Sequence, residues 1–374
     1  MATLSYLTTT YFDFGALRRL PKALAGLGIK RPLIATDRGL RHAGILAKVE
    51  AAIGGPAIVF DRTPENPTEA AVMDAVGLYR QERCDGIVAV GGGSPIDLGK
   101  AVALMATSDR PLLAYAGVAR GKVGKVAPLV AVPTTAGTGS EVSVGILIIV
   151  ADGRKLTFIA DEFIPKIAIC DPELTIGLPP RLTAATGMDA VTHCIEAVLS
   201  PVVNPPAEAI GLDGLERAIG TGYLVRAVAD GGDREARWHM MMAATEGAMA
   251  FIKGLGAVHA MSHSAGRLGG LTLHHGTLNA VILPHVLRFN QDAGGAKYGR
   301  IRQAMGLDAD ADLAAAVEEL NRQIGLPASL GALGVAPAHI PELVEHAVGD
   351  IAGATNPRPV AREDYWLLFA QAIG

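Results

Sequence analysis

Carboxylate and imidazole side chains occur in this sequence at spacings typical of metal ligands. Asp189 and His193 are four residues apart, and His259 and His263 repeat that spacing further along the chain. Residues four apart lie on one face of a helix, so each pair can direct two side chains at one ion. Neutral imidazole is the usual ligand for first-row transition metals, and a carboxylate adds an oxygen that divalent iron or zinc accepts. The two pairs therefore predict a metal site.

The dipeptide His274-His275 lies just before Gly276 and offers a further ligand. A single Asp/His pair is often only a contact on a helix surface, but two pairs and a His-His dipeptide together favour a metal. The chain has no HExxH motif, which disfavours a peptidase, and no GxSxG nucleophile turn. Cys194 would project away from His193 around a helix, so we interpret it as a small core residue.

A glycine-rich turn in the first half of the chain is typical of a phosphate site. The sequence GGGSPID occupies residues 91–97, directly after the apolar run 86–90. Glycines let a diphosphate approach the backbone, and the N-terminus of the following helix supplies free N–H groups. Ser94 is predicted to cap that helix and Asp97 to complete the cap. The alternative is a tight strand-to-helix turn without a ligand.

Two further polar positions follow predicted strands. The sequence PTTAGTGSE at 133–141 offers hydroxyl groups and bare backbone at the strand end, where doubly wound sheets bind ligands. Asp37 follows the run 33–36, where a carboxylate could bind ribose hydroxyls and repel a 2'-phosphate, which favours NAD over NADP. The alternatives are an ordinary surface loop for 133–141 and a helix N-cap for Asp37.

The elements around these residues indicate two domains, 1–180 and 181–374. In the first, β-branched runs alternate with helical stretches, which is typical of a parallel sheet. The predicted strands are 33–36, 57–60, 86–90, 129–132 and 167–170. A helix over 67–83 with Asn66 as its N-cap is predicted between the second and third, and a hairpin turning on Asp152-Gly153 precedes the last. The second domain is predicted to be all-helical, with helices beginning near Thr183, Pro206, Asp233, Gly256, Leu278, Tyr298, Asp310 and Pro341.

Composition excludes several classes of function. The 374 residues include 33 Lys plus Arg and 37 Asp plus Glu, a net charge of −4 that offers no basic surface for nucleic acid and no polybasic membrane anchor. The longest strongly apolar run, 142–151, is about half of the ~20 residues that a membrane-spanning helix needs. The three cysteines form no CxxC pair, and no export signal is visible. We therefore expect a cytoplasmic enzyme acting on a small molecule.

These motifs together resemble those of the iron-dependent (group III) alcohol dehydrogenase family over essentially the full length. The matching stretches are 91–97, 133–141, 187–193, 256–263 and 275–286. The resemblance implies an N-terminal α/β nucleotide-binding domain with a Rossmann-like parallel sheet and an all-α C-terminal domain. It also implies a catalytic divalent metal, usually iron, that polarises an alcohol or carbonyl oxygen while a nicotinamide exchanges hydride with the same carbon.

The resemblance assigns roles to individual residues. The metal ligands would be Asp189, His193, His259 and His275, and His263 would be a proton relay. The cofactor-binding residues would be Asp37, Gly92, Gly93, Ser94, Asp97, Thr134, Thr135, Thr138 and Lys155. The segment 264–274 is longer than is usual in the family, so His274 competes with His275 for the fourth ligand position. The donor set accepts Fe²⁺ or Zn²⁺.

The favoured hypothesis is an NAD-dependent alcohol dehydrogenase or aldehyde reductase, acting on a small alcohol or aldehyde as a homodimer. One alternative is a metal-free reductase resembling maleylacetate reductase, and a second is a lyase resembling dehydroquinate synthase. A third alternative is a non-enzymatic sensor that binds NAD or a metal.

Overall fold

A computed structural model describes residues 8–55 and 57–374 of the chain. The described residues form two compact units. The sheet unit runs to Thr135 and includes Gly139–Thr175, and the helical unit comprises Ala136–Thr138 and Ile176–Gly374. None of the described helices is long and apolar enough to cross a membrane.

The sheet unit is built on six parallel strands in the order β1-β9-β6-β4-β2-β3. These strands are β1 (Thr9–Phe12), β2 (Pro32–Ala35), β3 (Ile58–Phe60), β4 (Gly86–Gly91), β6 (Leu129–Pro133) and β9 (Ile167–Cys170). The five predicted strands are confirmed within a residue or two. The edge strand β1 was not predicted, and it pairs with β9 from Thr9 opposite Ile167 to Phe12 opposite Cys170.

Two hydrophobic clusters contain alternate residues of the strands. Ile87 and Ala89 belong to one cluster, whereas Val88 and Val90 belong to the other. Because successive strand residues point to opposite faces, helices cover both faces of the sheet. The helices are α1 (Leu20–Leu27), α2 (Arg38–His42), α3 (Ile45–Ile53), α4 (Glu69–Gln81) and α5 (Gly93–Met105). This architecture confirms the predicted Rossmann-like α/β fold.

A second, three-stranded sheet contains the predicted hairpin. Its strands are β5 (Gly117–Val118), β7 (Gly145–Ile149) and β8 (Lys155–Ile159). β7 and β8 pair antiparallel, from Gly145 opposite Ile159 to Ile149 opposite Lys155. Gly153 has φ +86° in the turn between them, a conformation that glycine adopts without a Cβ penalty. The Asp152-Gly153 hairpin is therefore confirmed.

Two predicted helix caps in this unit are wrong. α4 is capped by Thr68, whose hydroxyl accepts from Ala71 N at 3.2 Å, and not by Asn66. The N-cap of α5 is Gly92, one of the glycines before Ser94. The Ser94 hydroxyl instead donates to the carbonyl of Glu65.

The helical unit contains ten α-helices and no strand among its described residues. They are α6 (Pro180–Leu199), α7 (Pro205–Leu215), α8 (Tyr223–Ala229), α9 (Arg234–Ala250), α10 (Ala257–Ala265), α11 (His275–Gly294), α12 (Ala296–Ala304), α13 (Leu313–Gln323), α14 (Ile340–Val348) and α15 (Arg362–Ile373). The eight predicted starts lie within three residues of observed ones. α8 and α15 were not predicted.

Candidate metal centre and nucleotide turn

The helix α6 presents two of the predicted ligands from a fully buried segment. Every residue from Thr183 to Leu199 is buried, and Asp189 and His193 are only 2% and 4% exposed. An ionised carboxylate is costly to bury unless positive or hydrogen-bonding groups surround it. The groups around Asp189 therefore indicate which ligand the site can bind.

Three imidazoles converge on one oxygen of Asp189. The Nε2 atoms of His193 and His259 each lie 3.7 Å from Asp189 Oδ1, and that of His275 lies 3.5 Å from it. These distances exceed the 2.7–3.2 Å of a direct N–H···O bond. They match the edges of a coordination tetrahedron, because ligands bound at about 2.1 Å to one ion lie about 3.4 Å apart.

The chemistry of this donor set fits a divalent metal. One carboxylate oxygen and three imidazole nitrogens, supplied by α6, α10 and α11, suit iron or zinc, which bind imidazole in its neutral form. The structure brings together all four predicted ligands, and it is His275 rather than His274 that reaches Asp189. His274 instead occupies the N-cap position of α11.

Sequence reasoning missed Asn279, which lies at the centre of this cluster. Its Nδ2 donates to Asp189 Oδ1 at 2.7 Å and lies 3.3 Å and 3.2 Å from Nε2 of His259 and His275. Its Oδ1 is buried and has no hydrogen-bond partner among the described residues. Asn279 follows His275 by four residues, so the helical spacing used for the other pairs could have found it.

The ionisation of the cluster follows from its burial and charges. Burial lowers the pKa of His193 to about 4, which favours the neutral imidazole that a metal requires. Burial alone would raise the pKa of Asp189, but His193 and His275 hold it well below its usual range. Burial likewise disfavours protonated His259, yet Glu196 and Asp189 raise the pKa of this histidine to about 9. Asp189 is therefore an anion at neutral pH.

The neighbours of the cluster are aromatic and acidic. The His193 ring stacks on His259 with centroids 4.7 Å apart and meets the edge of Phe251 at 4.9 Å. Nδ1 of His259 lies 2.6 Å from Glu196 Oε2. Sequence reasoning missed Glu196.

His263 is adjacent to the cluster but is held differently. Its ring stacks on His275 at 5.3 Å, and its Nδ1 lies 3.0 Å from Asp350 Oδ2. The Asp350 side chain also accepts from Ala352 N at 2.8 Å, so its position is fixed by the local backbone. Burial would raise the pKa of Asp350, but His263 keeps it below its usual value. Because a carboxylate only accepts hydrogen bonds, Nδ1 of His263 is the donor to Asp350.

The predicted nucleotide turn lies where β4 ends and α5 begins. Thr134 N donates to Gly91 O at 3.0 Å, so the turns after β4 and β6 are neighbours. A Cβ on Gly92 would meet the Thr135 side chain at 3.2 Å. Because its N-cap residue is a glycine, the start of α5 receives no cap from that residue's side chain, and a helix N-terminus of this kind can bind phosphate groups.

Asp97 does not complete a cap as predicted. Its carboxylate accepts from the hydroxyl of Ser140 and, at 2.9 Å, from Leu147 N on the hairpin. Lys100, one turn on, donates at 3.0 Å to the carbonyls of Ser143 and Gly145. Both charged side chains thus attach the hairpin to α5.

The remaining predicted cofactor residues lie in three places. Lys155 begins β8 and donates to Asn66 Oδ1 at 2.9 Å. Asp37 is the N-cap of α2 and accepts from Leu40 N at 3.0 Å, which is the alternative role considered for it. Thr138 belongs to the helical unit, within the segment in which Gly137 packs against Thr186 of α6.

Comparison with known proteins gives matches over nearly the whole chain. The family model for iron-containing alcohol dehydrogenase matches residues 8–172, and the model for the C-terminal part of that family matches 183–373. The chain is 50% identical over 384 residues to a 4-hydroxybutyrate dehydrogenase of Cupriavidus necator, covering 100% of both proteins.

Solved structures of alcohol dehydrogenases and aldehyde reductases are also similar to this chain over nearly its whole length. A 1,3-propanediol oxidoreductase is 36% identical with a TM-score of 0.94, covering 99% of this chain and 100% of the other. A sulfoacetaldehyde reductase from Bifidobacterium kashiwanohense, in complex with NAD⁺, is 27% identical with a TM-score of 0.90, covering 100% and 99%.

Proposed function

Because this chain belongs to the iron-containing alcohol dehydrogenase family, we propose which of its residues carry out the reaction and which alcohol it oxidises. The protein is an oxidoreductase acting on CH–OH groups, with NAD and a metal as its cofactors. The metal identity, the residue roles and the substrate are the parts proposed.

Asp189, His193, His259 and His275 are proposed to hold one divalent ion, Fe²⁺ in keeping with the family. The observation that carries this proposal is the convergence of three Nε2 atoms on Asp189 Oδ1 at 3.5–3.7 Å. When bound, such an ion polarises the substrate oxygen and lowers the pKa of an alcohol. Asp189 contributes the negative charge of the site, and Asn279 holds that carboxylate in place.

His263 is proposed to take up the proton that the alcohol hydroxyl loses and to return it during aldehyde reduction. Because Nδ1 of His263 faces Asp350, its Nε2 is the nitrogen left to exchange that proton. The carboxylate of Asp350 stabilises the imidazolium that forms.

NAD is proposed to bind the sheet unit at the ends of β4 and β6. The N-terminus of α5, with Gly92, Gly93 and Ser94, would bind the diphosphate, and Thr134 and Thr135 would lie beside the cofactor. Lys155 and Thr138 are assigned from the family resemblance alone, and Asp37 would bind ribose while also capping α2.

A short hydroxy acid, 4-hydroxybutyrate, is the proposed substrate, because the curated relative that is 50% identical over the whole chain is named for it. The reaction converts its primary alcohol to the aldehyde as NAD⁺ gains a hydride. A homodimer in the cytoplasm is the proposed working form, on the family resemblance. Light scattering and cell fractionation test these two points.

Metal analysis tests the ligand set. The purified wild type should contain one Fe²⁺ or Zn²⁺ per chain, and Asp189→Asn should contain almost none and lose NAD-linked turnover. Asp213→Asn is the matched control, because it makes the same change on α7 away from the cluster, and it should retain the metal. A wild type that turns over fully without metal would contradict the ligand set and favour a metal-free reductase.

Steady-state kinetics test the substrate. 1-Butanol has the same carbon chain as 4-hydroxybutyrate but lacks the carboxylate. Charge-assisted hydrogen bonds contribute about 1.5–3 kcal/mol, so kcat/KM should be about tenfold to a hundredfold higher for the hydroxy acid. Equal values for the two, or a higher value for 1,3-propanediol, would replace this substrate by an uncharged alcohol or diol.

A further inference from the structure

A buried carboxylate behind the metal cluster has no role in the ligand set. Glu196 is 4% exposed and follows His193 by three residues and Asp189 by seven, so all three share one face of α6. Its Oε2 lies 2.6 Å from Nδ1 of His259, and its Oε1 accepts from Val258 N at 2.8 Å. Both carboxylate oxygens therefore contact the first turn of α10.

We propose that Glu196 is a positioning residue for the metal: it holds the proton of His259 on Nδ1, so that the Nε2 lone pair faces Asp189. This inference rests on the proposed ligand set. A carboxylate can only accept hydrogen bonds, so Nδ1 of His259 must be the donor in the 2.6 Å contact. When the ring loses its second proton on binding an ion, Nε2 is therefore the nitrogen that is freed, as a metal ligand requires.

The backbone of α10 is shaped to receive this carboxylate. Gly256 is the N-cap of α10, and a Cβ there would lie 2.7 Å from Glu196 Oε1 and 2.8 Å from Asn356 Oδ1. These two acceptors take the first free N–H groups of the helix, Val258 N at 2.8 Å and Ala257 N at 3.1 Å. Glu196 therefore fixes both the start of α10 and the ring of His259, its third residue.

The variant Glu196→Gln disturbs this pair of contacts, and a control at Asn356 separates the helix start from the histidine ring. A glutamine amide has one acceptor atom, its oxygen, whereas both oxygens of a carboxylate accept. If its oxygen keeps the bond from Val258 N, its NH₂ group faces Nδ1 of His259 and favours the tautomer with a proton on Nε2, which cannot bind metal. If the amide is reversed, its NH₂ group opposes Val258 N–H, another donor. Neither orientation preserves the arrangement of the carboxylate.

The experiment measures Zn²⁺ affinity by competition with a chromophoric chelator, without NAD or substrate. The Kd of Glu196→Gln should rise about tenfold to a hundredfold over wild type, the usual effect of losing such an outer partner. Asn356→Ala is the control, since it removes the neighbouring helix cap but not the partner of His259. Its melting temperature should fall while its Kd stays within about threefold of wild type.

Histidine-selective ¹⁵N NMR of the Zn²⁺-loaded wild type adds a readout that needs no variant. The His259 proton should be on Nδ1, and a proton on Nε2 would overturn the inference. An unchanged Kd for Glu196→Gln, or an equal rise for Asn356→Ala, would also overturn it. A wild type that binds no Zn²⁺ would instead refute the proposed ligand set.

Discussion

Gly276 offers a direct test of how closely the metal ligands are constrained by the packing of α6 against α11. A Cβ at this position would lie 2.0 Å from the carbonyl oxygen of Ala185 and 3.2 Å from Cβ of Asp189. Real Cβ atoms essentially never come within 3.0 Å of such atoms, so in Gly276→Ala the helices must separate by about 1 Å (3.0 − 2.0). Metal–ligand distances tolerate only about 0.2 Å. Moving His275 away from Asp189 should therefore disrupt the site.

We expect Gly276→Ala to lose most of its bound metal and at least about 90% of its turnover, and overpacking should cost about 1–3 kcal/mol of unfolding free energy. Metal content, NAD reduction and chemical denaturation measure these three effects. Gly269→Ala is the matched control, because nothing lies within 4 Å of a Cβ at Gly269, and it should behave as wild type. Wild-type metal affinity in Gly276→Ala would refute the reasoning that the inter-helix distance sets the ligand geometry.

Three further substitutions test separate parts of the structure. In Asp350→Asn the amide oxygen can still accept a hydrogen bond from His263, but the negative charge is lost. We therefore expect kcat to fall about tenfold to a hundredfold while the metal content stays the same. An unchanged kcat would remove Asp350 from the proton relay. Burial and a hydrogen bond with Asp213 raise the pKa of Glu246 from 4.5 to about 8, so the native state keeps a proton that the unfolded chain releases. The unfolding free energy should therefore fall as the pH rises between these two values, by at most about 1.4 kcal/mol per pH unit. Urea titrations of Glu246→Gln should show a smaller dependence of the unfolding free energy on pH. If the dependence is the same as in wild type, other groups cause it. Asp37→Asn keeps the helix cap, so the melting temperature should stay the same. If the charge of Asp37 repels a 2'-phosphate, the ratio of kcat/KM with NADP to kcat/KM with NAD should rise about tenfold. An unaltered ratio would leave Asp37 with the capping role alone.

The sequence predicted the parallel sheet because its central strands are short β-branched runs bounded by turns. The strand Thr9–Phe12 was missed although Thr, Tyr and Phe favour strands, because it has only four residues and depends on pairing with Ile167–Cys170, more than 150 residues away. The caps at Asn66 and Ser94 were misplaced by two residues each. In the structure Asn66 accepts a hydrogen bond from Lys155 and Ser94 donates to Glu65, so both side chains make tertiary contacts instead of capping a helix.

The site was predictable where its residues share a helix. The four-residue spacing of Asp189 and His193 is visible in the sequence, but the convergence of α6, α10 and α11 is not. Glu196 is recognised as part of the site only when His259, 63 residues away, is seen to contact it. The choice between His274 and His275 also depended on where α11 begins, because the first is a cap residue and the second faces inward.

The burial of α6 from Thr183 to Leu199 has a consequence for how this enzyme could be redesigned. A helix packed on all sides that also carries Asp189 and His193 tolerates few mutations, since any change of volume is transmitted to the ligands. New substrate preferences must therefore come from less enclosed segments near the cluster, such as 251–252 and 353–355, where side chains are partly or fully exposed. A directed-evolution library confined to those two segments should yield more active variants than one of equal size in α6.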